Sequence, residues 1–187
     1  MRLPHDLGDG YGLALRDGST VEVMHDLTLN ELSRLRAWEP WAAPEQTLES
    51  AEAYASFAIA LYEQGTSLPL MITYGDEPVG SASLRLDRYA GIGELGFWIA
   101  AAHERQGVVT RACEALIDEA RAEGLARVEI RTAVLNTRSR AVAERLGFMH
   151  EGTLRSALAL SPERADVALY GMVLTAGHGA EQDAPAA

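Results

Sequence analysis

The sequence predicts a mixed α/β fold of the α+β type, with one mostly antiparallel, strongly twisted sheet and helices on both of its faces. Three apolar, β-branched segments, at residues 68–74, 79–86 and 91–98, follow one another across short turns, which is typical of an antiparallel meander. From residue 108 onward, helical and strand-like segments alternate instead. The 187 residues, 48% of them hydrophobic, suffice for one domain with a sizeable core.

The first third of the chain is predicted to hold a hairpin and two helices. The segments "YGLALR" and "VEVM" flank the turn "DGST", which favours a hairpin over residues 11–24. The T-x-x-E spacing of residues 28–31 predicts a capping box that opens a helix, and Pro40 would end that helix. Thr47 begins a second amphipathic helix, which Gly65 closes.

The second half is predicted to add two helices and three strands to the meander. The expected elements are a helix over 108–123 closed by Gly124, a strand over 127–134, a helix over 137–146 capped by Asn136 and closed by Gly147, and strands over 148–155 and 165–174. Residues 176–187 are small and polar, so we expect a disordered tail there. The predicted single domain therefore spans residues 1–175.

The stretch "GIGELGFW", residues 91–98, has the G-x-G-x-x-G spacing of a dinucleotide-binding loop. Such a loop needs a strand before it and a helix that opens at the glycines, because helix N–H groups hold the pyrophosphate. Here a turn precedes the glycines, and apolar and aromatic residues follow them. The stretch is therefore predicted to be a buried strand.

Composition excludes several kinds of chemistry. All 16 basic residues are arginine, so the chain has no lysine for a Schiff base, for pyridoxal phosphate or for a P-loop. The net charge of -11 disfavours nucleic acid as a partner and favours cationic substrates such as amines. The same acidity could also serve solubility alone.

The cysteine count and the hydropathy bear on disulfides, metal sites and the cellular location of the protein. Cys113 is the only cysteine, so an internal disulfide and a zinc knuckle are excluded, and no metal is expected. Cys113 itself is predicted to be a small core residue. No apolar run reaches the roughly 18–20 residues of a membrane span, and the first residues lack the apolar segment of a signal peptide. We expect a cytoplasmic protein without a membrane partner.

The segment "AAHERQGVVT", residues 101–110, joins a predicted strand to a predicted helix. A short loop with glycine at this turn aims several backbone N–H groups and the positive end of the helix dipole at one point. That arrangement suits an anion and needs no lysine, while Arg105 could add a charge and Thr110 a hydroxyl. An ordinary strand-to-helix turn explains the same residues equally well.

Asn136 and Ser139 form a second constellation. They lie three residues apart on the first turn of a helix, so their polar groups face one point at the edge of the sheet. Ala141, Val142 and Leu146 would face the core, which leaves Ser139 free to meet a ligand. An N-cap asparagine, however, is usually only a cap.

From about Val21 to Leu174 the chain resembles the GNAT acyl-CoA N-acyltransferases, and within them the RimJ/RimL-like group of ribosomal-protein N-terminal acetyltransferases. The residues that carry the resemblance are "LRAWEPW", "ELGFWI", "QGVVTRA", "NTRSRAVAERLGF", "EGTLR" and "DVALY". The resemblance implies a GNAT-like sheet that is splayed at its central strand, where Gly93 and Gly96 would bend the strand open.

The resemblance also implies acetyl-CoA as the co-substrate. Backbone groups of Phe97, Trp98 and Ile99 would pair with the pantetheine arm as a further strand. Asn136 would bond the pantetheine, and Ser139 would act as general acid by donating a hydrogen bond to the leaving thiolate. The amides that would hold the pyrophosphate belong to Arg105, Gln106, Gly107, Val108, Val109 and Thr110.

Two positions depart from the family's pattern. Arg105 stands where the family's loop commonly has glycine, and Leu158 stands where some members carry a glutamate general base. A water chain that ends at Glu94 or Glu151 would then take the proton of the amine, with Glu94 preferred because it lies on the central strand beside the acyl site. Tyr170 is an alternative acid near the thiolate, although a buried core tyrosine is the simpler interpretation.

The function predicted from these residues is transfer of an acetyl group from acetyl-CoA to a primary amine, either a protein N-terminal α-amine or a small-molecule amine. Two alternatives stay open: another donor such as succinyl-CoA, recruited by an arginine, and a CoA-binding or regulatory module with little turnover. The acceptor would bind around residues 38–44 and 66–69, and its identity is not readable. A homodimer is the default expectation.

Overall fold

The computed structural model describes residues 1–160 and 163–174, so the predicted tail at 176–187 lies outside the described residues. These residues form eight strands and four helices. In chain order they are β1 His5–Gly8, β2 Tyr11–Leu15, α1 Val21–Leu35, α2 Leu48–Glu63, β3 Ser67–Tyr74, β4 Glu77–Asp87, β5 Ile92–Ile99, α3 Val108–Ala122, β6 Arg127–Ala133, α4 Thr137–Arg145, β7 Met149–Ala159 and β8 Arg164–Val173.

The eight strands form one sheet in the order β1-β2-β3-β4-β5-β6-β8-β7. Neighbouring strands are antiparallel except β5 and β6, which are parallel. The chain crosses between these two strands through α3, because parallel neighbours need a long connection. The predicted mixed, mostly antiparallel sheet is confirmed.

The sheet splits at its centre, between β5 and β6. Their pairing runs from Ile92 opposite Arg127 to Leu95 opposite Ile130 and ends there. Beyond that point β5 continues along β4 as far as Ile99, whereas β6 continues along β8. The predicted splay is confirmed, and it leaves a gap between the ends of β5 and β6.

The two glycines of β5 lie on either side of the point where the pairing ends. Gly93 is inside the paired part and is tightly packed, since a Cβ there would lie 2.8 Å from the Leu84 Cδ1. Gly96 is the first residue beyond the pairing, and its Cβ would lie 2.9 Å from the Ser83 Oγ. Close packing accounts for Gly93, while the bending of the strand by these residues stays a prediction.

Helices cover both faces of this sheet. The buried face of α3 packs on β4 and β5 within the main core. Helices α1 and α2 pack against each other and against β4 and β3, and their buried apolar residues lie outside that core cluster. In the described ranges no helix combines the length and hydropathy that spanning a membrane requires.

The predicted hairpin over residues 11–24 is wrong in its second half. β2 pairs with β1, which the sequence did not predict, and with β3, while residues 21–24 form the first turn of α1. The Asp17 Oδ1 accepts from the Ser19 N–H at 2.9 Å, and the Thr20 Oγ1 accepts from the Asp17 N–H at 3.1 Å. This capping box starts a 3₁₀ turn that leads into α1, and the four residues V-E-V-M are too few to distinguish a strand from a helical turn.

The predicted capping box at Thr28 is also wrong. Thr28 is buried in the middle of α1, where its Oγ1 donates to the Met24 carbonyl at 2.7 Å, the usual bond of a mid-helix threonine. α1 ends at Leu35, and Pro40 begins a separate 3₁₀ turn. The cap at Thr47 is confirmed, because its Oγ1 accepts from the Ser50 N–H at 3.1 Å.

Candidate active site

Two clefts adjoin the gap between β5 and β6. The first, here called the α3 cleft, has a volume of about 770 Å³ and is lined by the first turns of α3 and α4 and by residues 97–99 of β5. The second, here called the β7 cleft, has a volume of about 710 Å³ and is lined by the connection between α1 and α2 and by parts of β5, β6 and β7. Each volume is in the range of small-molecule sites.

The two clefts meet at the gap. The residues that line both are Trp38, Glu39, Phe97, Trp98, Asn136 and Ser139. The structure thus brings together the end of β5 and the first turn of α4, which are about 40 residues apart in the chain. A ligand that extends from one cleft into the other must pass these six residues.

The last residues of β5 keep one edge free for a ligand. On one side they pair with β4 through Ile99. On the side of β6, no strand in the described part of the chain pairs with β5 beyond Leu95. Since Phe97, Trp98 and Ile99 line the α3 cleft, their N–H and C=O groups on this edge can pair with an extended ligand.

The N-terminus of α3 opens onto the α3 cleft. Gly107 is its N-cap, with φ of +73°, and carries no side chain that could occupy the first N–H groups. Val108, Val109 and Thr110 form the first turn and line the cleft. Uncapped amides at the positive end of a helix dipole form a binding site for an anion.

Arg105, two residues before this N-cap, has a left-handed backbone with φ of +62°. That conformation costs an L residue roughly 1–2 kcal/mol and costs glycine little. We expect the free energy of unfolding of Arg105→Gly to be about 1 kcal/mol higher than that of Arg105→Ala. Both variants lose the guanidinium, but only glycine adopts the left-handed backbone conformation without strain. Urea unfolding of the two variants measures the difference, and equal midpoints would contradict it.

Gln106 lines neither cleft, and its side chain braces the loop. Its Oε1 accepts from the Tyr11 hydroxyl at 2.8 Å, and its Nε2 donates to the Ala102 carbonyl at 3.2 Å. The Tyr11 oxygen also lies 2.8 Å from the His103 Nδ1, which is the donor there because the tyrosine proton goes to Gln106. No signal in the sequence linked Tyr11 to this loop, since the sheet alone brings β2 near it.

Ion pairs fix the same loop to α1 and α4. The Glu104 carboxylate pairs with Arg34 of α1 and, at 3.0 Å, with Arg138 of α4. Arg34 also pairs with Glu31, whose Oε1 accepts from the Ala101 N–H at 3.3 Å. The loop is therefore held from three directions, by β2, α1 and α4.

Asn136 and Ser139 occupy the first turn of α4. The Asn136 Oδ1 accepts from the Ser139 backbone N–H at 3.2 Å, so Asn136 is the N-cap. The Ser139 hydroxyl has no hydrogen-bond partner within the described residues. The expected core face of α4 is partly wrong, because Ala143 is buried whereas Ala141 is exposed and lines the α3 cleft.

Glu94 lines the β7 cleft but is already paired. Its Oε2 accepts from Arg85 at 2.5 Å and lies 3.7 Å from the Arg131 Nε. Both contacts are to Oε2, so two guanidinium groups hold the carboxylate by one of its oxygens. Glu94 is thus near the gap, with its carboxylate engaged elsewhere.

The alternative proton acceptor, Glu151, and the alternative acid, Tyr170, lie outside both clefts. Glu151 is exposed and pairs with Arg127 at 2.7 Å. Tyr170 is fully buried, its hydroxyl donates to the Glu144 Oε1 at 2.7 Å, and it accepts from the Arg140 Nε at 3.0 Å. The structure brings neither group to the gap, and Tyr170 fills the core.

The site holds residues that sequence reasoning did not assign. Glu39 falls within residues 38–44, where the acceptor was expected to bind, but its side chain was given no role, and it lines both clefts. Its Oε2 accepts from the Trp41 Nε1 at 3.0 Å, and burial raises the pKa of the Glu39 carboxyl, an effect that the Trp41 bond partly opposes. Leu158, where the resemblance implied a glutamate base in some family members, lines the β7 cleft with Leu154.

The thiol of Cys113 does not contribute to the clefts. Cys113 is fully buried in the core, as predicted, and burial raises the pKa of its thiol, which keeps it protonated and unreactive. Across residues 1–160 and 163–174, no three His, Cys, Asp or Glu side chains converge as metal ligands.

A sheet that opens beside an uncapped helix N-terminus, with a strand edge free along the gap, has the geometry of an acyl-CoA-dependent transferase. The family described as acetyltransferase (GNAT) domain matches residues 17–149, and the chain belongs to that family. The protein is therefore a GNAT acetyltransferase.

Relatives cover most of the chain. It is 32% identical to YdaF of Bacillus subtilis (strain 168) over 167 residues, 86% of this chain and 90% of that protein. It is 30% identical to the ribosomal-protein-serine acetyltransferase of Escherichia coli (strain K12) over 156 residues, 82% of this chain and 87% of that one. RimL, a ribosomal L7/L12 alpha-N-protein acetyltransferase solved with coenzyme A, shares the fold with a TM-score of 0.87 over 91% of this chain and 98% of its own, at 24% identity.

Proposed function

We propose that this protein transfers the acetyl group of acetyl-CoA to the N-terminal α-amine of a protein, with a ribosomal protein as the first candidate. The observation that carries the proposal is that the two clefts meet at Ser139. The α3 cleft offers an uncapped helix N-terminus and a free strand edge, and the β7 cleft is open for an acceptor. The names of the E. coli relative and of RimL support the acceptor class. The proposed domain is residues 1–175.

The α3 cleft fits the donor. The amides of residues 105–110 would hold the diphosphate, because the first turn of α3 is uncapped and its dipole favours negative charge. The free edge of residues 97–99 would pair with the amide groups of the pantetheine arm. The Asn136 Oδ1 serves the cap of α4, which leaves its NH₂ group for a pantetheine carbonyl.

The chemistry needs little besides positioning. The amine nitrogen forms a bond to the thioester carbon, the carbon–sulfur bond breaks, and the amine loses a proton. Ser139, whose hydroxyl is free, would donate a hydrogen bond to the departing thiolate as general acid. An α-amine with a pKa near 8 is roughly one-tenth uncharged at neutral pH, so it is a better acceptor than a lysine side chain.

A ribosomal-protein acceptor would require a cytoplasmic enzyme. The net charge of -11 agrees with a basic acceptor, since opposite charges attract during encounter. A homodimer is proposed on the general frequency of symmetric dimers, and light scattering of the purified protein tests it.

The direct test is release of free thiol from acetyl-CoA in the presence of peptides, polyamines and amino sugars. We expect turnover with peptides that have a free N-terminus and none with the same peptides N-terminally blocked. Turnover with the small amines alone would contradict the protein acceptor, and faster turnover of succinyl-CoA would contradict the acetyl donor. Calorimetric binding of CoA without any thiol release would favour a regulatory module.

A further inference from the structure

Glu39 has a position that no other acidic residue of the site shares. Six residues line both clefts, and Glu39 is the only titratable one among them; this holds for the described part of the chain. The other acids of the described residues that line a cleft line one each, Glu45 and Glu94 the β7 cleft and Glu31 and Glu104 the α3 cleft. A carboxylate at the junction can reach an amine that approaches the thioester from the β7 cleft.

The carboxylate of Glu39 also has capacity to accept a proton. Its hydrogen bond from the Trp41 Nε1, at 3.0 Å, involves Oε2, and no described residue bonds to Oε1. Glu94 and Glu104 also use one oxygen each, but that oxygen pairs with two arginines, whereas no arginine within the described residues pairs with Glu39. Burial, which raises the pKa of Glu39 toward the pH at which the enzyme would work, agrees with a role in proton transfer.

The backbone holds Glu39 firmly at this place. Its N–H donates to the Leu35 carbonyl at 2.8 Å, and its own carbonyl accepts from the Ala42 N–H at 3.0 Å. Pro40 follows directly and fixes the next φ angle. With its backbone held in this way and its Oε2 bonded to the Trp41 Nε1, the Glu39 side chain is suited to a defined proton transfer.

We propose that Glu39 is the general base of the acetyl transfer, in place of the glutamate that some family members carry at the position of Leu158. The proposal rests on the proposed function. In the step, the amine nitrogen bonds to the acyl carbon, the electron pair of the carbon–sulfur bond leaves on sulfur, and the ammonium proton passes to Glu39. From Glu39 the proton leaves to water through the β7 cleft.

The test compares Glu39→Gln with wild type at saturating acetyl-CoA and peptide. We expect kcat to fall about 100-fold, as loss of a general base typically causes, with KM for both substrates within about threefold. Glu52→Gln is the matched control, because Glu52 is an exposed glutamate of α2 outside both clefts, and it should keep wild-type kcat. Glu39→Asp should be intermediate, since its carboxylate is one methylene further from the amine.

A small base added to the solution distinguishes the loss of a proton acceptor at position 39 from a structural defect. Formate should restore part of the kcat of Glu39→Ala, because a small carboxylate can enter the space of the lost side chain, whereas it cannot repair a packing defect. Acceptors with a weakly basic amine should lose less activity in Glu39→Gln than ordinary peptides, since the ammonium that forms on attack is then a stronger acid and loses its proton to water more readily.

The outcomes distinguish this proposal from the proposed function. If wild type binds CoA but releases no thiol with any amine, the proposed function itself is wrong. If wild type turns over and Glu39→Gln keeps its kcat, or changes only KM, or if Glu94→Gln alone loses activity, then Glu39 is not the base. Should Glu39→Gln fail to fold, an unchanged kcat for Glu39→Asp together with no formate rescue of Glu39→Ala would overturn the proposal.

Discussion

Replacing Ser139 by alanine is expected to lower kcat by about 100-fold while the Kd for CoA changes less than about threefold. The hydroxyl lies at the junction of the clefts and can donate to a departing thiolate, and acid catalysis by one positioned group is typically worth about 10²–10⁴-fold. Binding should persist, because the proposed contacts to CoA come mainly from backbone amides.

The substitution removes the hydroxyl without disturbing the cap of α4, because that cap uses the backbone of Ser139. Asn136 accepts from the Ser139 N–H, which alanine retains, and alanine favours a helix more than serine does. The unfolding midpoint should therefore stay the same or rise. Ser56→Ala, on the exposed face of α2, is the matched control and should keep wild-type kcat. A Ser139→Ala enzyme with full activity would exclude the proposed acid.

Thr110→Glu is expected to weaken CoA binding by roughly 100-fold, about 2.7 kcal/mol, while leaving the fold at least as stable. Thr110 lies in the first turn of α3 and lines the α3 cleft. A carboxylate there would interact with the helix dipole, which stabilises a helix by about 0.3–1 kcal/mol. The same carboxylate would repel a bound diphosphate, and two unit charges 4 Å apart interact by about 4 kcal/mol at an effective dielectric constant of 20.

Thr110→Gln separates charge from bulk, since glutamine has the size of glutamate without its charge. We expect its Kd for CoA to stay within about fivefold of wild type, and the difference between the two variants to shrink in high salt as the charges are screened. Calorimetry with CoA measures both constants, and thermal unfolding measures stability. Equal Kd values for the two variants would mean that the diphosphate lies elsewhere.

Local signals predicted most of the fold correctly. The caps at Thr47 and Asn136 and the stop at Gly124 lie where the sequence placed them, because a cap depends on residues three or four positions apart. The errors lie where a short pattern has two interpretations. V-E-V-M fits a strand or a helical turn, and the T-x-x-E spacing of residues 28–31 fits a cap or a helix interior.

In the candidate site too, the parts that lie in a few consecutive residues were predicted and the parts that depend on packing were not. The anion-binding turn and the Asn136–Ser139 pair could be predicted because each is contained in a few consecutive residues. Tyr170 is bonded within the core, as the simpler of its two interpretations had it, whereas the pairing of Glu94 with two arginines was not foreseen. Only packing determines which side chains are left free.

By itself, the sequence determined the mixed sheet, the helix termini, the absence of lysine chemistry and the family that the chain belongs to, since these depend on residue identity and on short-range spacing. The tertiary structure decided where the pairing of β5 and β6 ends, the bracing of the 101–110 loop by Tyr11 and Arg34, and the position of Glu39 where the clefts meet. These features join residues up to about 100 positions apart, and no local pattern specifies such contacts.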